Sequence, residues 1–120
     1  MAAGARRAGA GSAPRLRRSA DIRRALRDGT SRSSERVVLY VAPGDGPARA
    51  AWIAGKRAGT AVARNRARRL LREAWSALAP EVRDGYDLVM VARGSFAETG
   101  APELTAEIEE LLRRAGLIES

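Results

Sequence analysis

A chain of 120 residues with a hydrophobic share of 45% is long enough for one modest core and too short for two ordinary domains. Its 22 Lys and Arg against 14 Asp and Glu leave a net charge of +8, a balance that points to a polyanionic partner. The sequence has no cysteine and no histidine, which excludes a disulfide framework, a thiolate nucleophile, a Cys-based zinc site and a histidine general base.

The charge is unevenly spread. Residues 1–75 hold 18 basic and 5 acidic side chains, net +13, whereas residues 76–120 hold 4 and 9, net −5. The opening MAAGARRAGAGSAPR is rich in Ala, Gly and Arg and free of acid. It imitates a transit peptide and equally a basic tail, and we take residues 1–14 as a disordered basic tail preceding one domain over 15–120. No run reaches the roughly 18 apolar residues that span a bilayer, so no membrane partner is expected.

The segment LRRSADIRRALRDG predicts a short helix, with Ser19 as N-cap, Asp21 in the first turn and Gly29 as a left-handed stop. Ile22, Ala25 and Leu26 share one thin apolar face, and Arg23, Arg24 and Arg27 occupy the others. Residues 37–42, VVLYVA, predict a strand, the PGDGP of 43–47 a turn, and about 49–54 a second strand returning as a hairpin. A helix follows over about 61–78. Near 86–92 the run YDLVMVA suits a strand covered on both faces, with Asp87 as a lone structural carboxylate at its head. The last helix, about 102–115, has Pro102 and Glu103 early, Leu104, Ile108, Leu111 and Leu112 on one stripe, Arg113 and Arg114 late, and Gly116 after. Its acids Glu103, Glu107, Glu109 and Glu110 read as a solvated face.

The most informative stretch is GKRAGTAVARNRARRLLREAW, residues 55–75. Ala67, Leu70, Leu71, Ala74, Trp75 and Leu78 follow the i, i+3, i+4, i+7 rule and predict the core-facing side of the helix. Asn65, Arg68, Arg69 and Arg72 obey the same spacing on a neighbouring stripe, with Arg66 farther round and Arg64 at the first turn on the core side. Like charges at i, i+4 destabilise an isolated helix by a few tenths of a kcal/mol per pair, and only Glu73 is close by to relieve them. Phosphate binding would explain such crowding, because a guanidinium offers a planar fork that matches phosphate oxygens. Gly55, Lys56, Arg57 and Gly59 add backbone freedom and two charges beside a helix N-terminus whose free N–H groups bind anions. The pattern favours nucleic acid over a merely solvated face, and by itself does not separate RNA from DNA.

The string KRAGTAVARNRARRLLREAW resembles the signature of the bacterial ribonuclease P protein family, whose hallmark is Arg-Asn-Arg followed by further basic residues on one helix. Here that is Arg64, Asn65 and Arg66, then Arg68, Arg69 and Arg72. The resemblance extends over nearly all of residues 15–117. It implies an α+β fold: a single-domain α-β-β-β-α-β-α sandwich with a left-handed βαβ crossover, ribosomal protein S5 domain 2-like. It also implies that Lys56, Arg57 and the hallmark residues bind the enzyme's catalytic RNA, and that Ile22, Leu26 and Tyr40 line a cleft for the 5′ leader of precursor tRNA. Tyr40 would stack on an unpaired base. The family often has phenylalanine where Ile22 and Leu26 stand, serine at Gly55 and asparagine at Thr60.

Hydrolysis of a phosphodiester by a protein needs a general base or acids gathered round metal ions. Without histidine, and with its clustered acids in the net-negative third, the chain is not expected to carry a nuclease centre. The resemblance instead implies that ribonuclease P RNA performs the cut with Mg²⁺ that the RNA mainly binds, in the cytoplasm. Two other readings stay open on pattern alone: a small ribosomal-type RNA-binding protein, and a DNA-binding regulator. The glycine-rich approach to the helix and the neighbouring strands fit a helix-turn-helix poorly.

Overall fold

Residues 13–119 are the part of the chain that the computed structural model describes. Their elements are α1 (Ser19–Asp28), β1 (Thr30–Ser33), β2 (Val37–Pro43), β3 (Arg49–Ile53), α2 (Ala61–Leu78), β4 (Tyr86–Ala92) and α3 (Ala101–Arg114), with 3-10 turns at Lys56–Ala58 and Ala79–Glu81. This is an α+β fold in the expected α-β-β-β-α-β-α order.

The four strands form one mixed sheet in the order β1-β2-β4-β3. β2 pairs antiparallel with β1 and β4, while β3 runs parallel to β4, so α2 is the crossover between parallel neighbours. The expected hairpin of β2 and β3 does not form. β4 lies between them because Leu88, Val89 and Met90 are all fully buried, which only a central strand covered on both faces achieves. The 43–47 turn is tied instead to the approach to β4, through Gly44 N–H to Gly85 O at 3.0 Å and Gly85 N–H to Gly46 O at 2.8 Å. β1 reads TSRS and is exposed throughout, so no apolar alternation announced it.

Alternation sorts the sheet into two faces. Val37, Leu39, Ala50, Leu88, Met90 and Ala92 join the core built under α2 and α3. Ala67, Leu70, Leu71, Ala74, Trp75 and Leu78, the side of α2 expected to face inward, are all buried there. Ala42, Ala51 and Val89 form a smaller cluster on the other face, with Ala25 of α1 and with Leu16.

Both ends of α1 differ from expectation. Ser19 is already helical, the cap position is Arg18 without a side-chain bond, and Asp21 points instead towards Arg24 and Arg49, each at 3.8 Å. Gly29 is extended (φ −74°, ψ 162°), not left-handed. Its requirement is space: a Cβ there would meet Ala25 O at 2.4 Å and Val41 O at 2.8 Å. The acids of α3 are not all a solvated face either. Glu107 accepts from the Ser34 hydroxyl, the Arg36 backbone N–H at 2.7 Å and the Arg36 guanidinium at 2.8 Å. Burial alone would raise its carboxyl pKa, and these donors outweigh burial and hold it below the ordinary carboxylate range.

Most of the expected tail, residues 1–12, lies outside the described residues. Pro14 does not hang free: its carbonyl accepts from the buried Trp75 indole at 2.7 Å, and Ala13 packs on the main core. Leu16 N–H then donates to Ala50 O at 2.8 Å, so the segment runs along the open edge of β3. A chain beginning at Arg15 should therefore be less stable than one beginning at Ala13 by about 1–2 kcal/mol, the cost of leaving a buried donor unpaired. Urea unfolding of the two measures the difference; equal midpoints would show that the Pro14 contact contributes nothing.

Candidate nucleic-acid interface

The turn before α2 is held by Ala58, which is fully buried, and by Ala58 N–H to Gly55 O and Gly59 N–H to Lys56 O, both 3.0 Å. With that anchor inside, Lys56 and Arg57 are left exposed. Gly59 takes a positive φ of 114°, which disfavours any side chain there, and Thr60 caps α2 by accepting from Ala63 N–H at 3.2 Å.

Along α2 the hallmark residues divide. Arg64 is half-buried at the first turn, and Asn65, Arg69 and Arg72 are exposed. Arg68 spans back to the sheet, donating to Ala54 O at 3.2 Å and to Asn65 Oδ1 at 2.6 Å. Arg66 turns to the loop before α3, where its guanidinium holds Phe96 O at 3.3 Å and Thr99 O at 2.8 Å. Both arginines thus fix backbone, a role that spacing on a helix does not reveal. Arg69 meets Glu73 only at 4.0 Å with both side chains about half exposed, a contact worth little. Lys56, Arg57, Arg64 and Arg72 have no ion-pair partner among the described residues.

A second surface lies on the opposite face of the sheet. Ile22 and Leu26 of α1 and Tyr40 of β2 are brought together there, all half-buried against the smaller cluster, together with Ile53 and Val91. The register sets Val38 beside Val91 and Val91 beside Ile53, a row of half-buried apolar side chains across three strands. Reading the chain one strand at a time did not single out Val38, Ile53 or Val91, because only the cross-strand register joins them. Ile53 leads directly into the Lys56–Arg57 turn, so the two surfaces meet at that end of the sheet.

The other end of this face is closed by charge. Asp87 is fully buried and accepts from Arg49 Nη2 at 2.9 and 3.0 Å, from Arg49 Nε at 3.1 Å and from Arg24 at 3.3 Å. Arg24 belongs to α1 and Arg49 to β3, so the cluster sets where α1 sits on the sheet. Gly44 makes room for it, since a Cβ would lie 2.4 Å from the Asp87 carboxylate. Among the described residues no three acidic side chains are grouped as metal ligands would be.

The family model of ribonuclease P matches residues 12–116. The chain belongs to the ribonuclease P protein family. A ribonuclease P protein component of Chloroflexus aggregans is 46% identical over 88% of this chain and 80% of its own length. That of Roseiflexus castenholzii is 39% identical over 88% of each. The component from Symbiobacterium thermophilum is 48% identical over a shorter stretch, 61% of this chain and 64% of that protein. Solved ribonuclease P proteins share the fold: that of Staphylococcus aureus superposes with a TM-score of 0.76 at 22% identity over 88% of this chain and 97% of that one, and that of Thermotoga maritima with 0.74 at 24% over 83% and 96%. Ribonuclease P is a ribonucleoprotein that matures the 5′ end of tRNA, and this family is its RNA-binding protein component. Among the described residues no helix is long and apolar enough to cross a membrane.

Replacing Asp87 with Ala should cost about 3 kcal/mol, because it strands the partly buried Arg49 guanidinium. Arg24→Ala should cost under about 1 kcal/mol, since that side chain is 47% exposed. Denaturant midpoints test both; equal losses would mean that Arg24 and not Arg49 carries the cluster.

Proposed function

We propose that the turn and exposed stripe of Lys56, Arg57, Arg64, Asn65, Arg69 and Arg72 lie on the catalytic RNA of ribonuclease P, with Arg66 and Arg68 bracing that surface. The cleft of Ile22, Leu26 and Tyr40, continued by Ile53 and Val91, holds the single-stranded 5′ leader of precursor tRNA. The observation that carries the first half is the set of cations on and before α2, where among the described residues only Arg69 meets an acid, Glu73 at 4.0 Å, on a chain that pairs Arg36, Arg49 and Arg113 closely elsewhere. For the second half it is the half-buried Tyr40 ring among apolar side chains on a face that one helix covers only in part. Tyr40 offers a stacking plane; Ile22 and Leu26 offer walls without one.

On this reading the protein screens RNA charge and grips the leader, and the RNA supplies the Mg²⁺ and the cut. The site of action is the cytoplasm, where precursor tRNA is made. Residues 1–14 add nonspecific affinity through Arg6 and Arg7.

Arg64→Ala with Arg69→Ala should weaken binding to the catalytic RNA and flatten the plot of log K against log salt by about 0.7 to 0.9 for each lost phosphate contact. An unchanged slope would place the RNA on another surface. Tyr40→Leu keeps bulk without the ring. It should weaken holoenzyme binding to precursor tRNA by roughly 1 to 3 kcal/mol and leave mature tRNA, which lacks the leader, unaffected. Equal losses for the two tRNAs, or no loss, would mean that the Tyr40 ring only packs.

A further inference from the structure

At the outer edge of β3, on the α2 side of the sheet, lies a recess of about 450 Å³ that the leader cleft does not include. That volume falls within the roughly 300–1,000 Å³ of sites that hold small ligands. Arg15, Arg17, Arg72, Trp52, Trp75 and Pro14 line it, and no acidic residue does. Its construction follows from the edge segment already described. Arg15 bridges to Ala50, so successive side chains go to opposite faces. Leu16 enters the smaller cluster, and Arg15 turns the other way and lays its guanidinium over the Trp52 ring, 4.7 Å from the centroid. The Trp75 indole N–H is already taken by Pro14 O, which fixes the floor.

A guanidinium held over an indole on one side keeps its other side open to solvent. Arg15 is exposed and, like Arg17 and Arg72, has no ion-pair partner among the described residues. Bases of unpaired nucleotides stack on aromatic rings and on arginine planes, and their phosphates seek unpaired cations.

We propose that this recess binds one unpaired nucleotide of the catalytic RNA, its base stacked on the Arg15–Trp52 pair and its phosphate held by Arg17 and Arg72. The catalytic RNA is the occupant, and not the leader, because Arg72 makes the recess continuous with the α2 stripe, while the sheet separates it from Tyr40. The inference rests on the reading of that stripe as the RNA surface.

The full-length protein is titrated with ribonuclease P RNA at fixed salt and Mg²⁺. Arg15→Gln and Trp52→Leu should each weaken affinity about tenfold, as loss of one base stack does. Arg15→Lys, which keeps the charge and loses the plane, should weaken it similarly. Arg15 is exposed, so its variants probe the recess without disturbing the core. Wild-type affinity in Arg15→Lys would overturn the stack. Wild-type affinity in Arg15→Gln, with Arg64→Ala/Arg69→Ala still weak, would overturn the recess and leave the stripe standing; wild-type affinity in all would sink both. If these variants instead lower only the holoenzyme's preference for precursor over mature tRNA, the occupant is the leader and the proposal fails.

Discussion

Besides Leu16 at its edge, the second face of the sheet is covered by one helix, α1, ten residues and therefore about 15 Å long, over four strands spanning about 14 Å of pairing distance and up to about 23 Å of strand length. One helix of that size cannot close the face. The Asp87 cluster decides which part stays open, because it pins α1 by Arg24 towards the Asp87 end and leaves the row of Val38, Val91 and Ile53 half-covered at the other. The opposite face has no such deficit. Two helices of 18 and 14 residues bury it, and its core is the larger by far. One face of the sheet is thus closed by the main core and the other is left partly open.

Charge follows the same division of labour. Acids are concentrated late in the chain and spend themselves on local pairs: Glu107 on Arg36, Glu109 and Glu110 on Arg113. Around the turn before α2 and along that helix only Glu73 is present, at the limit of contact with Arg69. The cations there keep their hydration and their mutual repulsion in the free protein, and a polyanion relieves the second while it releases its own counterions. Arg66 and Arg68 are the exceptions that make the surface rigid. Arg66 donates to two carbonyls of the loop before α3 and Arg68 to Ala54 O just past β3 and to Asn65 Oδ1, so the stripe is presented on a braced helix.

Much of this was legible in residue order. The inward stripe of α2 is the six residues that 3.6-periodicity selected, and the bounds of α2 agree to the residue. The apolar run of β4 announced a strand covered on both faces. Three features were not legible, each for a physical reason. β1 is four polar exposed residues tied to the sheet by its ladder to β2. The hairpin expectation used proximity in sequence, whereas β4 has the stronger claim to the centre because its consecutive large residues Leu88, Val89 and Met90 are fully buried. Arg66 and Arg68 bond to carbonyls 30 and 14 residues away, which no local spacing encodes. The arginine-rich helix and the hallmark triplet pointed to the surface proposed for RNA, while the row at Val38, Val91 and Ile53 needed the register.

In the proposed function the protein positions RNA and leaves the chemistry to it. The most direct measurement is reconstitution: purified protein added to ribonuclease P RNA from the same source at low Mg²⁺, with 5′ processing of a precursor tRNA followed over time. Protein alone should cut nothing, and protein with RNA should process the precursor well above the rate of RNA alone. Absence of stimulation, or cleavage by the protein without RNA, would contradict the account.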